Sequence, residues 1–182
     1  MDFETVLKKL IGFFKKNNIN YALIGGFALG LYGVVRSTND LDFLIDKKHE
    51  KTLKDFMARN GYSIIYESEN VVQFENTESL LGSVDFLYSF RKPSQEMFKR
   101  AVKKNVFDGA IALNVLIPED IIGLKLQSLT NDSEREIFDL GDIKELMKIN
   151  SKMRWDIIKK HFELFGRKEL FQKLKSDYGT KE

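Results

Sequence analysis

The seven residues "DLDFLID", Asp40 to Asp46, place the tightest constraint on what this chain can become. A run so apolar and so short reads as a buried strand, yet it opens on two acids one residue apart. Side chains two apart in a strand share a side, so Asp40 and Asp42 project together while Leu41 and Phe43 enter the opposite layer. Two like charges held side by side repel, and the second ionisation has to be made against the first. A divalent ion removes that penalty, and hard oxygen ligands are what Mg²⁺ takes. A third acid, Asp85, interrupts the otherwise apolar "SVDFLYSF" between Val84 and Phe86. If that segment lies beside the first strand, three carboxylates meet on one side of a sheet. Such a trio suits two-metal phosphoryl transfer, in which one ion activates the attacking oxygen and the other steadies the leaving phosphate. The pair alone would equally describe solvated carboxylates at a strand end.

Composition narrows the chemistry. The chain has no cysteine, so a disulfide framework, a thiol nucleophile and a Cys-ligated zinc site are all excluded. His49 and His161 are the only histidines, so a bound metal must rely on oxygens, which favours Mg²⁺, Mn²⁺ or Ca²⁺ over zinc. The net charge of +2 predicts neither a nucleic-acid coat nor a membrane-surface protein. The charge is unevenly spread. Residues 61–90 hold five acids and no Lys or Arg, whereas 91–104 hold six basic residues against Glu96, and 151–176 hold eight against three acids. These basic runs fit solvated helix faces as readily as a binding surface. "MDFETVLKKL" is unlike a signal peptide and no apolar run approaches a membrane span, so the expectation is a cytoplasmic protein with no membrane partner.

Phe3, Val6, Leu7, Leu10, Ile11 and Phe14 recur at three- and four-residue steps, which predicts an amphipathic helix ended by Asn17 and Asn18. "YALIGG" then reads as a strand, "FALGLYG" as a short helix, "DLDFLID" as a second strand and 49–60 as a helix closed by Asn60 and Gly61. "YSIIYE", "VVQFE" and "SVDFLYSF" add three strands, with "NTESLLG" as a turn. A helix follows Pro93, "GAIALNVLIP" forms a last strand, and Pro118 opens a helical tail. Strands and helices mixed through 1–117, then helices alone through 118–182, predict an α/β (α+β) fold, a mixed sheet with a helical C-terminal part.

The surroundings of the acids sharpen the expectation. Gly25 and Gly26 end a strand and open a helix, where backbone N–H groups can hold a polyphosphate and missing side chains let it come close; a tight turn is the plainer alternative. Arg36 could clamp a phosphate with its planar fork, or simply lie on the surface.

Together, "IGGFALGLYGVVRSTNDLDFLI" resembles the signature of the DNA polymerase β-type nucleotidyltransferase superfamily, in its Gly-Gly variant followed by Arg-x-Thr/Ser-x-Asp-Ile/Leu-Asp. That variant is similar to the AbiEii-type abortive-infection toxins and, more distantly, to aminoglycoside and lincosamide nucleotidyltransferases. Many members carry Gly-Ser where this chain has Gly25 and Gly26. The resemblance implies transfer of a nucleoside monophosphate from NTP to an acceptor with Mg²⁺ or Mn²⁺. Asp40, Asp42 and Asp85 would hold the metal and do the catalysis, with Asp85 accepting the acceptor's proton. Gly25, Gly26, Arg36, Thr38 and Lys125 would contact the nucleotide, and 1–117 would be the catalytic core.

Lys125 stands out independently. On a helical wheel of 119–129 it falls in the middle of the apolar arc of Ile121, Ile122 and Leu129, where an unpaired ammonium is costly. Asp139 and Asp142, on the inner side of the next helix with Ile143 and Leu146, supply opposite charge. A structural ion pair and a lysine poised for a triphosphate both remain open. "GLKLQSL" and "REIFDLGDI" resemble later motifs of the same superfamily, so the resemblance spans about 20–149; "REIF" departs from the usual spacing and leaves Arg135 without an assigned role. His161 lies on a stripe with Met153, Ile157, Ile158, Phe162 and Phe165, which suits a packed residue better than a base. The acceptor stays undetermined: RNA or protein, as for a toxin with an antitoxin partner, or a small molecule such as an antibiotic, and a non-catalytic nucleotide-binding module is the rival outside enzymes.

Overall fold

A computed structural model describes residues 1–76 and 81–179. Most of the "NTESLLG" turn and the last three residues of the tail lie outside the described residues. The chain divides into two compact units, residues 1–28 with 37–116, and residues 29–36 with 117–182.

The first unit is built on a seven-stranded mixed sheet. Its strands are β1 (Tyr21–Ile24), β2 (Asp40–Asp46), β3 (Ser63–Glu67), β4 (Val71–Asn76), β5 (Gly82–Ser89), β6 (Val102–Val106) and β7 (Ile111–Val115), in the order β3-β4-β5-β2-β1-β7-β6. β2 and β5 run parallel at the centre, and β1 pairs antiparallel with β2. The helices of this unit are α1 (Phe3–Lys16), α3 (Glu50–Arg59) and α4 (Lys92–Arg100), while α2 (Gly25–Leu31) leads from this unit into the second.

Helix α1 starts where the Asp2 side chain accepts a bond from the Thr5 N–H, and it buries Val6, Leu7, Leu10, Phe13 and Phe14. Phe14 stacks on Tyr21 at 4.5 Å between ring centres and meets the edge of Phe43, which itself stacks on Phe86. Each such aromatic pair adds about 0.5–1.5 kcal/mol beyond its buried area. This aromatic layer takes the odd-numbered residues Leu41 and Phe43 of β2, and therefore leaves Asp40 and Asp42 on the other face.

Strand β6, "VKKNV", is the element the sequence pattern did not reveal, because Lys103, Lys104 and Asn105 break its alternation. It lies at the edge of the sheet, where lysines are favoured since they discourage pairing with a foreign strand. Residues 107–110 join it to β7: the Ala110 N–H donates to the Phe107 carbonyl at 2.9 Å, and Asp108 and Gly109 between them have left-handed φ of 53° and 88°, the backbone a tight antiparallel hairpin needs.

The second unit contains α5 (Pro118–Asn131), α6 (Glu136–Ile149), α7 (Trp155–Leu164) and α8 (Lys168–Tyr178). Ile121, Ile122, Leu126, Leu129, Ile143, Leu146, Ile158 and Phe162 form its core. Among the described residues no helix is long and apolar enough to cross a membrane.

Candidate active site

The acid trio forms through strand register. β2 and β5 run parallel with Asp42 opposite Asp85 and Asp40 opposite Ser83. One carboxylate oxygen from each of Asp40, Asp42 and Asp85 lies within 4.8 Å of the others, and all three side chains are half-buried. The structure therefore brings together the three acids that sequence alone could only place on separate strands. Burial pushes the Asp85 carboxyl above its ordinary value; a hydrogen bond from Gln73 pulls it back, and the charge of Asp40 adds to the rise.

The glycine pair serves this cluster directly. Gly25 has φ 65°, and a Cβ built on it would lie 1.8 Å from Asp42 Oδ2. Only a residue without a side chain fits there, for conformational and steric reasons together. A Cβ on Gly26 would lie 2.6 Å from Thr38 Oγ1. Beside the phosphate room expected of them, these glycines make room for the side chains of Asp42 and Thr38. Any side chain at 26 would meet Thr38.

Thr38, expected to contact nucleotide, donates its hydroxyl to Asp40 Oδ1 at 2.7 Å. Gln73, which sequence reasoning missed, donates its amide to Asp85 Oδ2. Asp40 and Asp85 are thus fixed by neutral donors that orient the oxygens without cancelling their charge. An all-oxygen donor set of half-buried acids fits a hard divalent cation.

Arg36 and Lys125 belong to the second unit. Lys125 Nζ lies 2.8 Å from Asp139 Oδ1 and 2.6 Å from Asp142 Oδ2. Arg36 Nη1 lies 2.6 Å from the same Asp142 oxygen, and Arg135 Nε lies 3.4 Å from Asp139 Oδ2. Burial alone would raise the Asp139 carboxyl, but hydrogen bonds from Lys125 and Ser128 and the charges of Lys125 and Arg135 outweigh it and hold the group below its ordinary value. Any phosphate approaching Lys125 or Arg36 has to compete with Asp142. His161 is buried, and its Nε2 meets Asp120 Oδ1 at 2.9 Å, which fits the packed role its stripe suggested.

This mixed sheet has the fold of solved nucleotidyltransferase-like proteins. Within that class the chain belongs to the aminoglycoside-2''-adenylyltransferase family, whose model matches residues 6–107, more than half of its length. Three solved structures share the fold. The antibiotic-resistance factor ANT(2'')-Ia is 14% identical with a TM-score of 0.61, over 97% of this chain and 96% of that one. The lincosamide antibiotic adenylyltransferase LnuA, solved with lincomycin bound, is 19% identical with a TM-score of 0.56, over 81% and 98%. An antigenic nucleotidyltransferase-like protein from Paracoccidioides brasiliensis is 16% identical with a TM-score of 0.58, over 98% and 93%. No curated protein sequence matches the chain.

Proposed function

We propose that this nucleotidyltransferase moves a nucleoside monophosphate from NTP to a hydroxyl of a small antibiotic-type acceptor, with an aminoglycoside as the first candidate. The observation that carries the reading is the convergence of Asp40, Asp42 and Asp85 inside the segment that matches the adenylyltransferase family. The balance is simple: the acceptor oxygen forms a bond to the α-phosphorus, the bond from that phosphorus to the bridging oxygen breaks, and pyrophosphate leaves. Bound divalent cation would supply positive charge to the phosphates and the attacking oxygen. Asp40, Asp42 and Asp85 would hold it. Asp85 would receive the acceptor's proton, a role suited to a carboxyl pushed above the ordinary range by burial. Thr38 and Gly25 keep the carboxylates of Asp40 and Asp42 in place, so the protein's contribution is positional and electrostatic.

The antibiotic-type acceptor is favoured over a macromolecule because the family and LnuA are named as adenylyltransferases of antibiotics, and ANT(2'')-Ia as an antibiotic-resistance factor. These relatives lend no support to the narrower likeness to AbiEii-type toxins or to an antitoxin partner. The test is incubation of the purified chain with Mg²⁺, α-labelled ATP or another NTP, and either a panel of aminoglycosides and lincosamides or cell extract. Label is expected in an aminoglycoside and lost when Asp40→Ala and Asp42→Ala are combined. Label in RNA or protein would replace the acceptor assignment, and label in no fraction with any NTP would remove the enzymatic reading.

A further inference from the structure

Gln73 takes no part in the chemistry above, yet it touches the group assigned the proton. It sits on β4 opposite Asp85 in the antiparallel β4–β5 ladder, and Asp85 in turn sits opposite Asp42 on β2. A single row across three strands therefore reads Gln73, Asp85, Asp42. Directly opposed residues of an antiparallel pair have Cβ atoms about 4.5–5.5 Å apart, a span that a glutamine amide bridges to a neighbouring carboxylate. Gln73 Nε2 donates to Asp85 Oδ2.

We propose that Gln73 is a positioning residue for the acid cluster: by occupying Oδ2 it fixes the rotation of the Asp85 carboxylate and keeps Oδ1 for the cation or the acceptor. The inference rests on the reading of the trio as a cation site. Amide chemistry suits the task. A lysine or arginine at this place would orient Asp85 equally well, but its own charge would stand in for the cation and weaken the reason to bind one. The amide orients and leaves the negative charge in force. On the same face of β4, Glu75 lies opposite Ser83 and Val71 opposite Leu87, so Gln73 alone on that face is in register with Asp85. From the other end of the cluster the Thr38 hydroxyl treats Asp40 in the same way, again with a neutral donor. Outer partners of this kind fix the orientation of metal ligands, and their loss costs about 10–100-fold in metal affinity or activity.

The test uses Mn²⁺ alone, titrated into the full chain without nucleotide and followed by the electron paramagnetic resonance signal of the free ion. Gln73→Met keeps the volume and loses the donor; Gln73→Thr keeps strand propensity but falls short of Asp85, and serves as a second variant if the first folds poorly. Asp85→Asn is the reference. Both Gln73 variants are expected to melt cooperatively and to bind Mn²⁺ about ten-fold more weakly than wild type, with Asp85→Asn weaker still. If the Gln73 variants melt earlier but bind Mn²⁺ as wild type does, while Asp85→Asn does not, Gln73 is a strand residue only and the proposal is overturned. If Asp85→Asn also binds like wild type, the cation site itself falls and the proposal with it.

Discussion

Asp85 and Asp139 are the same side chain placed in the two units of the molecule, and their carboxyls move in opposite directions. Burial raises both. At Asp85 only the neutral Gln73 amide offsets it, and Asp40 pushes further up. At Asp139 two cations, Lys125 and Arg135, together with Ser128 reverse the effect and bring the group below its ordinary value. The contrast separates two uses of buried charge. In the helical unit, acid and base neutralise each other within the fold, so the cluster is complete as it stands. In the sheet unit, Asp40 and Asp85 are oriented by neutral donors, Thr38 and Gln73, which add no opposing charge. Carboxylates gathered on one face and held by neutral donors suit a hard cation.

Removing charge from each cluster in turn separates the two most decisively. Combining Asp40→Ala with Asp42→Ala is expected to cut nucleotidyl transfer by about 10³-fold or more, roughly 4 kcal/mol of barrier, measured with labelled NTP. Because repulsion is relieved, the thermal midpoint should hold or rise; a fall would mean that the acids stabilise the fold. Lys125→Met acts in the opposite sense. It strips Asp139 of its nearest cation and should destabilise the protein by about 3 kcal/mol or more, read from urea unfolding. An effect near zero would show that Arg36 and Arg135 suffice for both acids.

Saturating Mg²⁺ should sharpen the contrast next. At a hundred-fold excess over its dissociation constant a ligand of the folded state adds about 2.7 kcal/mol, which a thermal scan resolves. That rise should vanish in the Asp40→Ala, Asp42→Ala variant and persist in Lys125→Met. A smaller effect, about 1–3 kcal/mol, is expected for Gly25→Ala, where a Cβ meets Asp42 in a backbone conformation L-residues avoid. Its thermal midpoint should fall and transfer should fall with it, since Asp42 has to move; retained activity would show that the carboxylate relocates without consequence.

The last effect is on pH. The folded-state carboxyl of Asp139 lies below its ordinary value of 3.8, so its contribution to stability is in full force above 3.8 and is lost as pH falls through the lower folded value. Urea midpoints of wild type should therefore drop in that acid window more steeply than those of Asp139→Asn, and parallel curves would remove the assigned cause.

Much of this was legible in the one-dimensional pattern. The period-two alternation of "DLDFLID" put Asp40 and Asp42 on one side, and the helical wheel put Lys125 on an apolar face with Asp139 and Asp142 on the next helix, because these relations depend only on backbone periodicity. β6 stayed hidden since an edge strand needs few apolar residues. Gln73 stayed hidden for a different reason: one amide among "VVQFEN" carries no signal until a register sets it opposite Asp85.

Residue identity and strand or helix period were enough for the local faces, the all-oxygen donor set and the absence of thiol chemistry. That Asp85 stands beside Asp42, that Gly25 yields its space to a carboxylate and that Asp139 meets Lys125 came from the folded arrangement alone. Those facts depend on pairings between segments far apart in the chain, where a shift of one residue turns every side chain to the opposite face.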